Sequence, residues 1–377
     1  MIDVRSEIKP LEEVLIHRPG EELLNLMPDN LEYLLFDDIP FLKEAINEHN
    51  YFANTLENNG VKVIYLEDLM TEVIEDENIK IKFIKEYLKE ANIKDDKIIN
   101  YLKNIKDNKT LVLKTMSGIT SKDLNIKGEN RIIIDPMPNL YYTRDPFFIV
   151  ENGVYLSNMK YKVRKREQIY GRFIFSYHKK YKKYLKKQTF NYHIEGGDIL
   201  ILNSKTLAIG LSERTEKEAI YELAKSLFTN SKIENILIVK MPKKRTYMHL
   251  DTILTMVDTD KFIYHKLETE PEIYIIDKEK QIIEKTNINL KTALSKYLNN
   301  VKIIELDDFI SSKREQWSDG VNTLCIKPGT VIAYDRNEKN NQLLRENGIE
   351  VIEIKSSELS RGRGGPRCMS MPLKRKL

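Results

Sequence analysis

Asp198-Ile199-Leu200-Ile201-Leu202-Asn203-Ser204-Lys205-Thr206-Leu207-Ala208-Ile209 is the stretch on which the fold turns. Two apolar runs flank three turn-forming positions, which predicts an antiparallel hairpin. After Arg214 the spacing of apolar residues becomes helical and holds to Leu227. The succession recurs upstream: Phe147-Phe148-Ile149-Val150, the turn Glu151-Asn152-Gly153 and Val154-Tyr155-Leu156 lead to Arg164 and a helix to about Tyr170. It recurs downstream: Thr323-Leu324-Cys325-Ile326, the turn Lys327-Pro328-Gly329 and Thr330 to Tyr334 lead to Arg336, a helix to Asn347 and a strand. A weaker copy starts at Thr252 to Val257, with the turn Asp258-Thr259-Asp260. The strand Leu11 to Ile16, the helix from Pro40 and the strand Val61 to Tyr65 make a fifth. Each unit reads as hairpin, helix, strand. Repeats of roughly fifty residues predict a closed radial α/β array, with functional loops near the central axis. An ordinary doubly wound α/β sheet competes, but it needs no hairpin in every unit.

Residues 70–127 break the rhythm. Val73, Ile74, Phe83, Ile84, Tyr87, Leu88 and Ala91 recur at helical spacing between Lys and Glu, and Ile98, Ile99, Tyr101, Leu102 and Ile105 do the same. Three or more short amphipathic helices are expected, as an insertion within a single domain spanning 1–377. Asp37 and Asp38 stand where they can cap the helix from Pro40. The basic run Lys179 to Lys187 is read as a helix with Tyr181, Tyr184 and Leu185 inward and lysines in water, not as a nucleic-acid patch.

Composition narrows the function classes. At 377 residues and net charge +4, the chain can bury a large core and carries no broad basic footprint for nucleic acid. Two distant cysteines, Cys325 and Cys368, make no disulfide framework and suit a reducing, cytoplasmic setting. The N-terminal residues lack the apolar core of a signal peptide, and no apolar run reaches membrane-span length. No nucleic-acid or membrane partner is expected.

The chemistry gathers on five stretches. Gly362-Arg363-Gly364-Gly365-Pro366-Arg367-Cys368 has the make-up of a loop presenting one sulfur, with glycines free to take positive φ and arginines that favour a thiolate. Upstream lie Pro138-Asn139-Leu140-Tyr141-Tyr142-Thr143-Arg144-Asp145-Pro146, His193-Ile194-Glu195-Gly196-Gly197-Asp198, Met248-His249-Leu250-Asp251-Thr252 and Glu315-Gln316-Trp317-Ser318-Asp319-Gly320. His249 and Asp251 sit two apart, so on an extended segment they share a face. Glu195 precedes a Gly-Gly pair that lets a ligand come close. Taken singly, His249 reads as a structural histidine and Asp145 as a turn former. Together, three carboxylates, a histidine and a cysteine suit a guanidinium. Its N–H groups pair with carboxylates in forks, its carbon accepts a thiolate, and a histidine can move the protons. A metal hydrolase is disfavoured: the chain has neither His-Glu-x-x-His nor Cys-x-x-Cys, and none of the Asp-rich motifs with interleaved histidine that a binuclear site uses.

Read as a set, Leu34-Leu35-Phe36-Asp37-Asp38, Pro138-Asn139 with Thr143-Arg144-Asp145, Glu195-Gly196-Gly197-Asp198, Met248-His249-Leu250-Asp251-Thr252 and Arg361 through Cys368 resemble the arginine deiminases, of the guanidino-group-modifying (pentein) superfamily. The resemblance covers essentially the whole chain. It implies a five-bladed α/β propeller of pseudo-fivefold symmetry with a helical insertion, and hydrolysis of L-arginine to L-citrulline and ammonia through an amidino-thioether, with no cofactor. It implies Cys368 as nucleophile, His249 as general acid and base, Asp145 and Asp251 as grips on the guanidinium, and Glu195 as the partner that orients His249. It implies Asn139, Arg164 and Arg214 at the substrate carboxylate, and Leu35 and Asp38 near the substrate's amino-acid end. It places Tyr142 beside the guanidinium, where several members have Phe, and Gly362 and Arg363 on the loop that gates the site. Pro366-Arg367 replaces a Gly-His seen in some members. A homo-oligomer, dimer or tetramer, is implied as well.

Overall fold

The computed structural model describes residues 1–376. Its fold is built from one connection used repeatedly. Strand Ile199–Asn203 pairs antiparallel with Thr206–Leu211, helix Lys217–Asn230 follows, and Asn235–Lys240 returns parallel to Thr206–Leu211. Leu324–Lys327, Thr330–Tyr334, helix Glu338–Glu346 and Glu350–Ile354 repeat it. So do Leu254–Met256, Lys261–Tyr264, helix Leu290–Ser295 and Lys302–Glu305, with longer connections. In the unit of Phe147–Val150 and Gly153–Leu156, the helix is Gln168–Tyr177, and the returning strand shrinks to one parallel bridge, Val154 to Leu185.

The fifth unit closes the chain on itself. Met371–Arg375 pairs antiparallel with Leu11–Ile16, helix Leu42–Asn58 follows, and Lys62–Tyr65 runs parallel to Leu11–Ile16. The sequence reading stopped at the Cys368 loop and missed this last strand, because Pro372 reads as a strand breaker. Its missing N–H is tolerated where the register slips at Leu11, Glu13 and Val14. Strands Glu272–Asp277 and Glu284–Lys285 were also missed. They extend the Asn235–Lys240 edge into a five-stranded sheet.

Four helices stand where the helical insertion is expected: Leu66–Val73, Glu77–Glu90, Asp96–Asn104 and Asn108–Ser117. The first begins at Leu66, directly after the strand Lys62–Tyr65. Asp76, Asp95 and Asp107 cap three of them through side-chain oxygens, and Gly118 ends the last at φ 83°. Phe83, Tyr87, Leu102 and Met116 pack in one core with Tyr170 and Phe173 of helix Gln168–Tyr177. Two local readings are corrected. Asp37 and Asp38 do not cap the helix after Pro40: Phe41 stands at its N-cap, and its N–H donates to Glu358 Oε2 at 2.7 Å. The Lys179–Lys187 run is no α-helix but a turn of 3-10 helix at Lys182–Tyr184, although Tyr181 and Tyr184 are buried as expected.

Candidate active site

Every unit delivers its chemistry from the same place, the segment just before its first strand. Asp145 precedes Phe147–Val150, Glu195 precedes Ile199–Asn203, His249 and Asp251 precede Leu254–Met256, Asp319 and Asn322 precede Leu324–Lys327, and Cys368 precedes Met371–Arg375. All of these side chains are buried.

His249 is caged by carboxylates. Its Nε2 lies 2.8 Å from Glu195 Oε2 and its Nδ1 3.8 Å from Asp145 Oδ1. Burial alone would push this imidazole down, but Asp145, the bond to Glu195 and the charge of Asp198 hold it up at about 9, so it is an imidazolium at neutral pH. Burial works against the charge of Glu195 too, yet Arg214 and His249 hold its carboxyl well below the usual range. Gly197 is what lets the ring in: a Cβ there would stand 2.7 Å from the imidazole. The Gly-Gly pair was read as room for a ligand, and at Gly197 it makes room for His249. The segment itself is fixed by Asp198. Its Oδ1 accepts from Leu250 N at 2.8 Å, and its Oδ2 accepts from Ser212 and Thr215 at 2.7 and 2.6 Å.

Cys368 Sγ lies 3.6 Å from Asp251 Oδ2. Asn322 ties the two loops together, donating to Asp251 O at 3.0 Å and accepting from Cys368 N at 3.0 Å. His249 and Asp251 are not on an extended strand as expected. His249 is extended, and Asp251 lies in the 3-10 turn Leu250–Thr252 that follows. The loop glycines are corrected as well. Gly362, Gly364 and Gly365 do not adopt positive φ, and the left-handed residue is Arg363, at φ 60°. The glycines serve close packing: a Cβ on Gly362 would lie 2.4 Å from the hydroxyls of Tyr141 and Tyr142, and one on Gly364 2.3 Å from the Tyr142 ring.

The arginines do not act on the sulfur as expected. Burial pushes the Cys368 thiol well above its ordinary value, Asp251, Asp145 and Asp319 push it further, and Arg367 opposes them without prevailing. Arg367 is spent elsewhere: its Nη1 donates to Asp251 Oδ2 at 2.8 Å, its Nε and Nη2 to Glu7, and its Nη2 to Ile199 O at 2.7 Å. Arg164 Nη1 holds Asp145 Oδ2 at 2.8 Å while its Nε and Nη2 grip Glu167. Arg214 bridges Glu195 at 3.3 Å and Glu213 at 3.1 Å.

Two oxygens remain. Asp145 Oδ1 and Asp251 Oδ1 are buried with no hydrogen-bond partner among the described residues. Leu35, Asn139, Tyr142, Asp145, Arg164, Arg214, His249, Gly362, Arg363 and Cys368 line one small cavity, joined by Met248 and Thr252, quoted in the sequence reading without a role, and by Arg245, which it passed over. The cavity has room for roughly one water. Asp38 lies outside it, exposed, with its carboxylate on Arg361. Asp145, Glu195 and His249 offer ligand atoms within 4.8 Å of one another. Their charge is already met by Arg164, Arg214 and the imidazolium, which leaves little for a metal ion to neutralise.

A family profile described as arginine deiminase matches residues 32–375. The chain belongs to the arginine deiminase family. The arginine deiminase of Treponema denticola is 45% identical over 404 residues, covering 100% of this chain and 98% of its own length. That of Streptococcus agalactiae is 45% identical over 404 residues, covering 99% and 98%. Among solved structures, a dimethylarginine dimethylaminohydrolase superposes with TM-score 0.54 at 15% identity, over 96% of this chain and 99% of that one. An amidinotransferase of saxitoxin biosynthesis from Microseira wollei superposes with TM-score 0.59 at 15% identity, over 100% and 98%. These likenesses show a shared mixed α/β fold. Asn322 and Glu7 escaped the sequence reading because asparagine and glutamate are common surface residues. The signal that finds Asn322 is its position directly before a repeat's first strand.

Proposed function

We propose that this member of the arginine deiminase family hydrolyses L-arginine to L-citrulline and ammonia through a covalent amidino-thioether on Cys368. The observation that carries the reading is the pair of buried, unpartnered oxygens, Asp145 Oδ1 and Asp251 Oδ1, in the cluster that holds Cys368. A buried carboxylate oxygen without a donor is costly, and a guanidinium supplies two forks of donors at once. Burial and then the carboxylates hold the thiol up; binding that cation offsets the carboxylate charge, the thiol proton passes to water, and the substrate so prepares its own nucleophile. The thiolate then adds to the guanidinium carbon. His249 gives its proton to the departing nitrogen, which leaves as ammonia. The neutral imidazole next takes a proton from the water that attacks the amidino-thioether, and the C–S bond breaks to release citrulline. Glu195 keeps His249 oriented and charged. Asn139, Arg164 and Arg214 receive the substrate carboxylate, Leu35 and Tyr142 line the pocket, Asp38 lies toward the amino-acid end, and Gly362 and Arg363 form the moving cover.

The same reading arranges the five units as blades of a pseudo-fivefold α/β propeller. They form one domain over 1–377, with the loops that precede the first strands converging at the axis and the helices between residues 66 and 117 as the insertion expected over 70–127. The two free thiols suit work in the cytoplasm. On the same reading the protein is a homo-oligomer that needs no cofactor. Citrulline and ammonia release from L-arginine is the test, with agmatine and Cys368→Ala alongside. Equal citrulline and ammonia from arginine alone, reduced on the order of 10⁴-fold or more in the variant, is expected. Turnover of agmatine instead would overturn the carboxylate contacts, and full activity in Cys368→Ala would overturn the mechanism.

A further inference from the structure

A second small cavity lies where the two ends of the chain meet. Val4 and Glu7 line it from the N-terminal segment, Pro372 and Arg375 from the closing strand, and Arg144 and Ile201 from the units between. Every residue of its wall is buried, and there is room for roughly one water. Apart from Glu7, Arg144 and Arg375, its side chains are apolar. No residue that the proposed reaction uses lines it.

The wall has donors to spare. Arg375 gives Nη1 to Lys9 O at 2.6 Å and Nη2 to Cys325 O at 2.8 Å, and its Nε is buried with no partner among the described residues. Arg144 gives Nε to Arg367 O at 3.2 Å, and its Nη2 is buried and likewise unpartnered. Both guanidiniums donate to carbonyl oxygens, and among the described residues neither makes an ion pair with a carboxylate. The acid beside them is taken. Glu7 Oε1 accepts from Ile201 N at 3.1 Å and from Arg367 Nη2 at 3.2 Å, and its Oε2 accepts from Arg367 Nε at 3.1 Å. Arg367 also holds Asp251, at 2.8 Å. Three guanidiniums thus meet two carboxylates, and both carboxylates sit on Arg367. One buried positive charge is left over, and such a charge is costly unless something pairs with it. Burial and then the charge of Arg367 push Arg144 down to about 9, yet it stays a cation at neutral pH.

We propose that this cavity is a structural halide site, in which a chloride ion takes the free donors of Arg144 and Arg375 and ties the closing strand to the units it seals. A water accepts N–H bonds but brings no charge. A carboxylate, phosphate or sulfate brings charge but is too large for the space. A halide brings one negative charge, accepts from several donors and fills about the volume of a water. The ion also braces the Cys368 loop from behind, because the backbone N–H of Arg144 donates to Cys368 O at 3.1 Å.

The test reads binding without catalysis, so it stands whether or not the chain turns over arginine. The full wild-type chain is dialysed free of chloride, and thermal unfolding is followed at fixed ionic strength as sodium gluconate is replaced by sodium chloride or sodium bromide. Both halides are expected to raise Tm by roughly 3 °C and then level off, because only the folded chain offers the site. Arg144→Met and Arg375→Met, which keep the bulk of the side chain and lose its charge, are expected to abolish the rise. Crystals of the wild type grown in bromide are expected to show an anomalous peak at the bromine edge, in contact with both guanidiniums. Equal Tm in gluconate and chloride overturns the proposal, and so does a rise that both variants keep. A cavity that holds only water, with no anomalous signal, overturns it as well. A bromide peak with no halide effect on Tm means binding at crystal concentration only, and counts against it equally. Should neither variant fold, the wild-type titration and the bromide peak decide the matter.

Discussion

His17 and His249 are the same device built twice. Each ring is buried, each meets two carboxylates, and each is held as an imidazolium. His17 has Glu67 at 2.7 Å and Glu22 at 3.1 Å, and burial, which alone would lower it, is outweighed by Glu67 and Glu22 so that it rises to about 10. His249 has Glu195 at 2.8 Å and Asp145 at 3.8 Å and stands at about 9. A raised histidine inside a carboxylate cage therefore does not mark a site by itself. The difference lies in what is left over. Around His17 each ring nitrogen has its own carboxylate partner. Around His249 the Asp145 oxygen that faces the ring at 3.8 Å makes no hydrogen bond among the described residues, and in the same cluster neither does Asp251 Oδ1, whose carboxylate stands beside the Cys368 sulfur. The function is carried by the unfinished hydrogen bonds, not by the finished ones.

The comparison breaks most sharply under substitution of the two histidines. His249→Ala is expected to lower kcat on the order of 10³-fold, the usual scale for a lost general acid and base, while His17→Gln leaves kcat within about twofold. Steady-state citrulline formation measures both. Equal losses would mean that His249, like His17, only holds the fold. Asp251→Asn comes next, at about 10²-fold in kcat/KM. It spares the shape but removes half of the grip on the cation, and it frees Arg367 Nη1. An unchanged value would show that the free oxygen is not used.

His17 should show itself in stability instead. Its raised value means the native state keeps a proton that the unfolded chain, near 6.5, gives up. The stabilisation is therefore complete below about pH 6.5, and it is lost as pH rises from there through about 10. Urea unfolding of the wild type should weaken across that window, and His17→Gln should flatten the slope. The variant should also be less stable at pH 6 by roughly 3 kcal/mol, because Glu22 and Glu67 are left buried without their cation. Parallel pH profiles for the two proteins would place the ion cage outside the folding energetics. His49 sharpens the reading. Buried nearby, with neither ring nitrogen partnered among the described residues, it is pushed down to about 3 by burial and by the charges of His17 and Arg18, so it stays neutral throughout.

What was legible in the sequence follows from the range of each force. Hairpins such as Ile199–Asn203 with Thr206–Leu211 are local, set by alternation and turn residues, and they were read in place. The closing strand Met371–Arg375 was not. It pairs with Leu11–Ile16 at the other end of the chain, and no local pattern announces a partner that far away. Cys368, His249, Glu195, Asp145 and Asp251 were singled out because they stood in glycine- and proline-marked loops, and the structure gathers them in one buried cluster. Their charges were misjudged because those depend on burial and on neighbours from other units. Arg367 looked like an activator of the adjacent sulfur, but its fork is taken by Asp251 and by Glu7, a residue from the start of the chain.

The two cysteines give the smallest expected effect and the cleanest control. Cys325 lies in the strand Leu324–Lys327, with its sulfur 3.0 Å from Lys327 O and 3.5 Å from Val257 O. Burial pushes its thiol up to about 12, and burial pushes Cys368 up as well, so acidity in the free protein does not separate a structural thiol from a nucleophile. What separates them is the setting. Cys325 has carbonyl oxygens at its sulfur and a resident cation, Arg375, donating to its backbone carbonyl at 2.8 Å. Cys368 sees carboxylates with oxygens to spare. Cys325→Ala should therefore keep kcat/KM within about twofold and cost roughly 1 kcal/mol in urea unfolding, the scale for shrinking a small buried apolar group. A large loss of activity with unchanged stability would mean that burial alone had been mistaken for inertness, and that the second thiol takes part in the reaction.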